Sequence, residues 1–352
     1  MSERSFLIYG ANGFTGRLLA ERAKERGLRP ILAGRNPDDV TLLGKELGLP
    51  VRIFGLDSAP ALRAGLEGVS LVLHAAGPYS KTSRPMVDAC LAGSVHYLDI
   101  TGEYAVLEAV LARDAEAKSR GVVLLPAVGF DVVPTDCMAK TLANALPDAK
   151  RLELAFTGGM LPSPGTAKTA VEGLSLGAKV REDGALVTLS APRTRKIPFR
   201  SGAQFGMSIP WGDLVTAYRS TNIPDITVYT VVPRAAARGA RFLKYAAPLL
   251  SKPAVTEFLK RQVEKRATGP SADQRRTARM WIWGRVENAG GTAVEGHLGV
   301  PEGYELTVLS ALASAERVLR GDVPPGATTP SLAFGPDFVT TLPGVEPFEL
   351  VR

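Results

Sequence analysis

The residues most able to do chemistry stand in one glycine-rich turn and a few polar loops. The turn is Gly10-Ala11-Asn12-Gly13-Phe14-Thr15-Gly16, preceded by strand-like Ser5–Tyr9 and followed by helix-like Arg17–Arg26. Gly10 lets the chain leave the strand sharply. Gly13 lacks a Cβ, so a diphosphate can approach the backbone. Gly16 allows the helix to lie close to the sheet. Asn12, Phe14 and Thr15 complete the lining, and the helix start offers N–H groups and a positive dipole end to phosphates. The alternative is a glycine turn with no ligand. A second strand, Pro30–Ala33, leads into Gly34-Arg35-Asn36. An acid at that point would favour the ribose 2′-hydroxyl of NAD; Arg35 offers a planar cation suited to a 2′-phosphate. The expected cofactor is therefore NADP(H), against the plainer reading of Arg35 as a solvated surface residue. Arg17, in the first helical turn, either adds positive charge there or faces solvent.

Further candidates follow later strands. Asp57 is placed to bond the adenine amino group or to cap the next helix. Ala76-Gly77-Pro78-Tyr79 gives a small-residue loop against the cofactor ribose, with Tyr79 directed toward the nicotinamide. Asp99, Thr101 and Glu103 cap the following helix or face substrate. Asp131, in Gly129-Phe130-Asp131, is the polar group expected beside the nicotinamide, and Asp136 the first-turn acid of a helix 136–145. From the second half, Asp213 and Tyr218 are added. The catalytic set is thus Tyr79, Asp131 and Asp213, each weighed against a packing or capping role. The chemistry implied is hydride transfer to a polarised C=C or C=N bond, with one proton supplied or relayed. No Ser-x-x-x-Tyr-x-x-x-Lys arrangement assigns the acid.

These residues need a sheet to position them. Short apolar strands at 6–9, 30–33, 51–54, 71–75, 95–98 and 122–125 alternate with helical stretches at 16–25, 37–47, 59–64, 83–92 and 105–120. That alternation predicts an α/β fold: an N-terminal, doubly wound, parallel Rossmann sheet with all carboxyl ends on one edge. From Arg151 the pattern becomes strand 152–157, a small-residue helix 165–180 with Thr166 at its start, then strands 185–190, 194–199, 226–232, 280–288 and 292–297. This predicts an α+β domain with a mainly antiparallel sheet that closes over the nicotinamide end. The expected division is 1–150, 151–300 and 301–352. The last part, helix 303–319 and tail, is expected to pack back on the first domain.

The turn 10–16, Ala76-Gly77-Pro78-Tyr79, the run His96–Glu103 and the run Gly129–Asp136 together resemble the saccharopine dehydrogenase-like oxidoreductases. Within them, the likeness is to the branch that holds the bacterial trans-acting enoyl reductases. It is sharpest over 5–140 and weaker through Gly165-Thr166-Ala167, Pro210–Asp213, Ala217–Thr221 and Gly303–Leu306. The resemblance implies an NADP-type Rossmann domain with an α/β substrate domain. It does not imply saccharopine as substrate, because no arginine arrangement matches an amino-acid carboxylate clamp.

Composition narrows the classes further. The 352 residues are 45% hydrophobic and 22% charged, as in ordinary globular proteins. The start carries no charged-then-apolar leader pattern and no run spans a bilayer, so a cytoplasmic protein is expected, with peripheral membrane contact left open. Cys90 and Cys137 suit buried thiols, and the three histidines show no metal-ligand spacing. The net charge of +7 sits in residues 234–266, with nine Lys/Arg and two Glu, which argues against a nucleic-acid binder. Arg238, Arg241 and Lys244 alternate there with Phe242, Leu243, Leu249 and Leu250, interrupted by Pro248 and Pro253. The segment is a solvated face, an anionic-membrane element, or a dock for an acidic or acyl-carrier partner. Partners are otherwise a small-molecule or acyl substrate, with a homodimer left open. Two rival readings stand beside the enoyl reductase: a catalytically silent NADP-binding scaffold, and an amino-acid or polyamine imine reductase.

Overall fold

The computed structural model describes residues 5–158, 161–167, 171, 177–239 and 252–352. Contacts divide the chain into two units, residues 1–131 with 307–333 and residues 132–306 with 334–352.

Unit 1 is built on β1 (Phe6–Tyr9), β2 (Ile31–Gly34), β3 (Val51–Ile53), β4 (Leu71–His74), β5 (His96–Asp99) and β6 (Val123–Leu125). The helices between them are α1 (Phe14–Glu25), α2 (Pro37–Leu47), α3 (Ala59–Gly65), α4 (Tyr79–Gly93), α5 (Tyr104–Leu111) and α6 (Asp114–Ser119). Leu7, Ile8, Leu32, Leu71 and Leu73 are wholly buried, as strands covered on both faces require. All strands are parallel. The order is β3-β2-β1-β4-β5-β6, so the winding reverses between β1 and β4, where such sheets open a ligand crevice at their carboxyl ends. The later strand β15 (Gly326–Ala327) extends the sheet beside β6. The single helix expected over 105–120 is two helices; Arg113, between them, pairs with Asp88 at 2.7 Å and Glu116 at 2.6 Å.

The division expected after residue 150 falls instead after 131. The reason is α7 (Val133–Ala145), whose Met138 and Leu142 lie against the sheet of unit 2. A Cβ on Gly284 of that sheet would come within 2.8 Å of both. Of the expected C-terminal return, 307–333 belongs to unit 1 and 334–352 to unit 2.

The sheet of unit 2 contains β7 (Ala149–Gly158), β8 (Ala178–Glu182), β9 (Ala185–Leu189), β10 (Thr194–Phe199), β11 (Gly202–Ser208), β12 (Asp225–Val231), β13 (Arg279–Asn288), β14 (Ala293–Pro301) and β16 (Glu349–Val351). Its main path runs β10-β11-β12-β7-β13-β14-β16, with β12 and β7 parallel and the other pairs antiparallel. Helix α8 (Asp213–Thr221) joins β11 to β12. Two elements differ from expectation. The helix expected over 165–180 is helical at 164–167 and 171, but 178–180 already belong to β8; 168–170 and 172–176 lie outside the described residues. Asp183 (φ 48°) and Gly184 (φ 76°) close the β8–β9 hairpin with both central residues in the left-handed region, the turn that Asp-Gly favours. Strand β11 is absent from the sequence expectation because Gly202-Ala203-Gln204-Phe205-Gly206 has no β-branched residue. Pairing with β10 over 202–207 and with β12 over 206–208 makes it a strand.

Of the basic segment, α9 (Arg234–Gly239) and α10 (Pro253–Arg266) are described. Residues 240–251, which hold Arg241, Phe242, Leu243, Lys244, Pro248, Leu249 and Leu250, lie outside the described residues. Among the described residues, no helix is long and apolar enough to cross a membrane.

Candidate functional site

The glycine turn joins β1 to α1. Gly10 has φ 84°, and a Cβ there would lie 2.7 Å from the Ala76 Cβ, so side chains are excluded on conformation and space together. A Cβ on Gly16 would come within 2.1 Å of the Gly10 carbonyl oxygen, so only glycine lets α1 start this close to the turn. The turn is closed by Gly10 N–H and Ala11 N–H donating to Ala33 O, at 2.8 and 3.1 Å. The N-cap of α1 is Gly13, which has no side chain with which to cap the first turn. The first turn of α1 thus receives no hydrogen bond from an N-cap side chain. Gly13 is exposed, and Phe14 and Thr15 are partly exposed.

The neighbouring helices are finished differently. Asn36 caps α2, its Oδ1 accepting from Asp38 N and Asp39 N at 3.1 and 3.4 Å. Its Nδ2 donates to Asp39 at 2.7 Å, and the Nδ2 of Asn12 reaches the same carboxylate at 3.3 Å. Ser58 caps α3 through Ala61 N, so the capping role weighed for Asp57 belongs to its neighbour. Arg35 and Asp57 are exposed, and both act on the buried phenol of Tyr9. Burial raises that phenol to about 12, while the Arg35 cation lowers it and the Asp57 carboxylate raises it. The two charges therefore flank the carboxyl end of β1. Arg17 does not add free charge there: it pairs with Glu21 at 2.8 Å and with Glu46.

The loops after β4, β5 and β6 converge. The Glu103 carboxylate accepts from Tyr79 N and Ser80 N, both at 2.8 Å, and so caps α4 rather than the helix that follows it in sequence. Thr101 Oγ1 accepts from Glu103 N at 3.0 Å. The Tyr79 side chain, expected to point toward the nicotinamide, is buried instead. Its hydroxyl donates to His74 O at 3.1 Å, with the rings of the two residues 5.3 Å apart. Burial, then the nearby Asp99, Glu103 and Asp131 charges, push its phenol well above the ordinary value. Tyr79 therefore holds its loop and keeps its proton.

Asp131 fits a proton-handling role better. A Cβ on Gly102 would lie 2.7 Å from its Oδ2, so the carboxylate fills the space this glycine leaves. Burial, then the Glu103 charge, raise it from 3.8 to about 7. An acid poised near neutrality can both hold and release a proton there. In the same unit, His74 is buried and lowered to about 3 by desolvation, hence neutral.

The remaining candidates belong to unit 2. Asp213 opens α8 and is wholly buried, as a first-turn acid can be. The ring of Tyr218 lies 4.1 Å beneath the Arg181 guanidinium. Asp136, expected as a first-turn acid, lies in the first turn of α7 and accepts from Ser220 Oγ at 2.8 Å. Thr166 shares hydrogen bonds with Ser163 and Tyr304 at 3.1 and 2.9 Å. Cys90, in unit 1, and Cys137, in unit 2, are buried, and desolvation raises both thiols. Unit 2 also holds a cavity of about 570 Å³ lined by Phe156, Thr157, Gln204, Met280 and Trp281 among others, and it contains none of the expected site residues.

Comparison with known proteins finds partial matches. Residues 6–125 match the saccharopine dehydrogenase NADP binding domain. Over those residues the chain is similar to a nucleotide-binding domain whose name gives its cofactor as NADP. A trans-acting enoyl reductase of Mycobacterium leprae is 30% identical over 169 residues, 46% of this chain and 40% of that protein. One of Mycobacterium tuberculosis is 31% identical over 145 residues, 38% of this chain and 35% of that protein. Each match thus spans less than half the relative's own length. Saccharopine dehydrogenase (L-Glu forming) of Saccharomyces cerevisiae superposes with a TM-score of 0.67 at 12% identity, covering 99% of this chain and 100% of that one. That likeness is one of fold.

Proposed function

We propose that the protein is an NADP(H)-dependent oxidoreductase that reduces a conjugated C=C bond of an acyl substrate, with Asp131 as the proton donor. The observation that carries this reading is the pairing, on one sheet edge, of a side-chain-free helix start with a carboxylic acid raised to about 7. Partial likeness to proteins named trans-acting enoyl reductase supports the enoyl acceptor over C=N.

In this reading Gly10, Asn12, Gly13, Phe14, Thr15 and Gly16 would line the diphosphate site, with the α1 dipole favouring its charge. Arg35 meets the 2′-phosphate, and Asp57 faces the adenine. Ala76, Gly77, Pro78 and Tyr79 form the wall beside the nicotinamide ribose. The bound nicotinamide supplies or accepts a hydride. What the chain adds is the proton. Glu103 is committed through both oxygens to the α4 amides, so it stays an acceptor, and its charge adds to the burial that raises Asp131 to about 7. Asp131 then delivers that proton to the carbon next to the substrate carbonyl. Asp213, buried in its helix turn, drops out of the proposed catalytic set.

The test is NADPH consumption with a panel of enoyl thioesters, cyclic imines and quinones, run on wild type and Asp131→Asn. Turnover of enoyl thioesters that depends on Asp131 is expected. Turnover of imines alone would move the protein to the imine reductases. Tight NADPH binding without any turnover would leave a nucleotide-binding scaffold.

A further inference from the structure

Asp99 closes β5 and is wholly buried, yet the reaction proposed above does not use it. Its carboxylate takes three hydrogen bonds, all as acceptor. Oδ1 receives Thr101 N at 3.1 Å and Ala127 N at 2.8 Å, and Oδ2 receives the Tyr97 hydroxyl at 2.7 Å. Its main-chain carbonyl receives Val128 N at 2.8 Å. One residue is thus bonded to two loops. On the β5 side, Thr101 passes the connection to Glu103 and hence to the start of α4. On the β6 side, Ala127 stands at φ 59°, a left-handed conformation that an alanine avoids unless its surroundings hold it. From Ala127 the chain runs four residues to Asp131, with Phe130 N bonded to Thr307 Oγ1 at 3.0 Å.

We propose that Asp99 is a positioning residue for Asp131: through Oδ1 it fixes the loop after β6, which carries Asp131, against the loop after β5, which carries Glu103. The proposal rests on the reading of Asp131 as the acid, but concerns how that acid is held. Asp99 itself is wholly buried, and its carboxylate oxygens are bonded to protein groups. Two properties of Asp131 depend on the register it sets, namely the packing into the space left by Gly102 and the distance to the Glu103 charge. What the loops require of Asp99 is an acceptor oxygen. An asparagine keeps Oδ1 for both amides, and its Nδ2 can face a Tyr97 hydroxyl that turns its proton to His74 Nδ1 or Ser83 Oγ, each 3.3 Å away. An alanine keeps neither oxygen.

The experiment is a carbon-13 carboxylate NMR titration of the full chain, with the Asp131 signal assigned by its loss in Asp131→Asn. The wild type is expected to show Asp131 titrating near neutrality, and Asp99→Asn to match it. Asp99→Ala is expected to move the Asp131 midpoint by about one pH unit or more, tenfold in proton affinity. An unmoved midpoint in folded Asp99→Ala would overturn the proposal, and so would an equal shift in Asp99→Asn, which would make the effect one of charge. Should Asp99→Ala not fold, Thr101→Ala decides: it cuts the side-chain link to Glu103 N, so a smaller shift in the same direction supports the proposal and none refutes it. Reductase assays keep the two readings apart. A rate indifferent to Asp131→Asn removes the acid assignment, while the titration shifts still decide whether Asp99 positions Asp131.

Discussion

Two helices of unit 1 begin at the same edge of the same sheet and are completed in opposite ways. Helix α1 starts at Gly13, with no N-cap side chain. Helix α4 starts at Tyr79 with both oxygens of Glu103 on its leading amides. A helix start attracts negative charge wherever it occurs. At α4 the protein supplies that charge itself, from a residue 24 positions away. At α1 the N-cap, Gly13, has no side chain to supply it. The contrast separates a helix end capped from within the protein from one that, in the proposed function, receives the cofactor's diphosphate.

The largest effect is expected from removing the acid that the filled end helps to poise. Asp131→Asn should lower kcat/KM by about 10²–10⁴-fold, the usual worth of a positioned acid. It should also abolish the fall in wild-type rate as pH rises through about 7, where Asp131 loses its proton. Steady-state pH profiles check both. Next, Gly13→Asp gives α1 the kind of carboxylate that α4 already has, and so makes the two ends alike. NADPH affinity should fall about 100-fold, roughly 2.7 kcal/mol, with the helix itself no less stable, by calorimetry and thermal melts. Arg35→Asp probes the far end of the cofactor. It should cost NADPH about 1.5–3 kcal/mol while leaving NADH little changed, the loss expected of a charge-assisted bond.

Smaller effects are expected at the filled end. Glu103→Gln leaves one acceptor oxygen for two amides, an expected loss of about 1 kcal/mol in stability. It should also bring the Asp131 midpoint partly down, since burial, the larger cause of its rise, remains. The stability signature of Asp131 has a definite sign. Its folded value of about 7 lies above its ordinary 3.8, so its contribution is full below about pH 4 and is lost as pH rises through about 7. Thermal melts from pH 4 to pH 8 should therefore fall less steeply for Asp131→Asn than for wild type.

Much of unit 1 is legible in the sequence because local rules govern it. Continuous apolar runs such as Phe6–Tyr9 and Leu71–His74 have no soluble face, so they must be buried strands, and the glycine turn marks the first crossover. Unit 2 is harder to read. Strand β8 lies at the end of a run of small residues that reads as helix, and the Asp183-Gly184 turn is the local signal that marks the hairpin. The site is legible in outline but not in its bonding. Sequence proximity makes Glu103 a cap for the helix next to it, whereas its partners lie 24 and 23 residues back. Asp99 reaches 28 residues forward to Ala127. No spacing rule reports such pairs, because tertiary closure of neighbouring loops creates them. Tyr79 shows the same limit in reverse: its place in the loop follows from the sequence, but the hydroxyl turns inward to His74 O.

The cofactor assignment, on which the rest depends, is decided by titration calorimetry of cofactor-stripped protein with NADPH and with NADH. One NADPH should bind per chain, at least tenfold tighter than NADH, with the preference erased in Arg35→Asp. No heat with either nucleotide, or equal affinity for both, would contradict it.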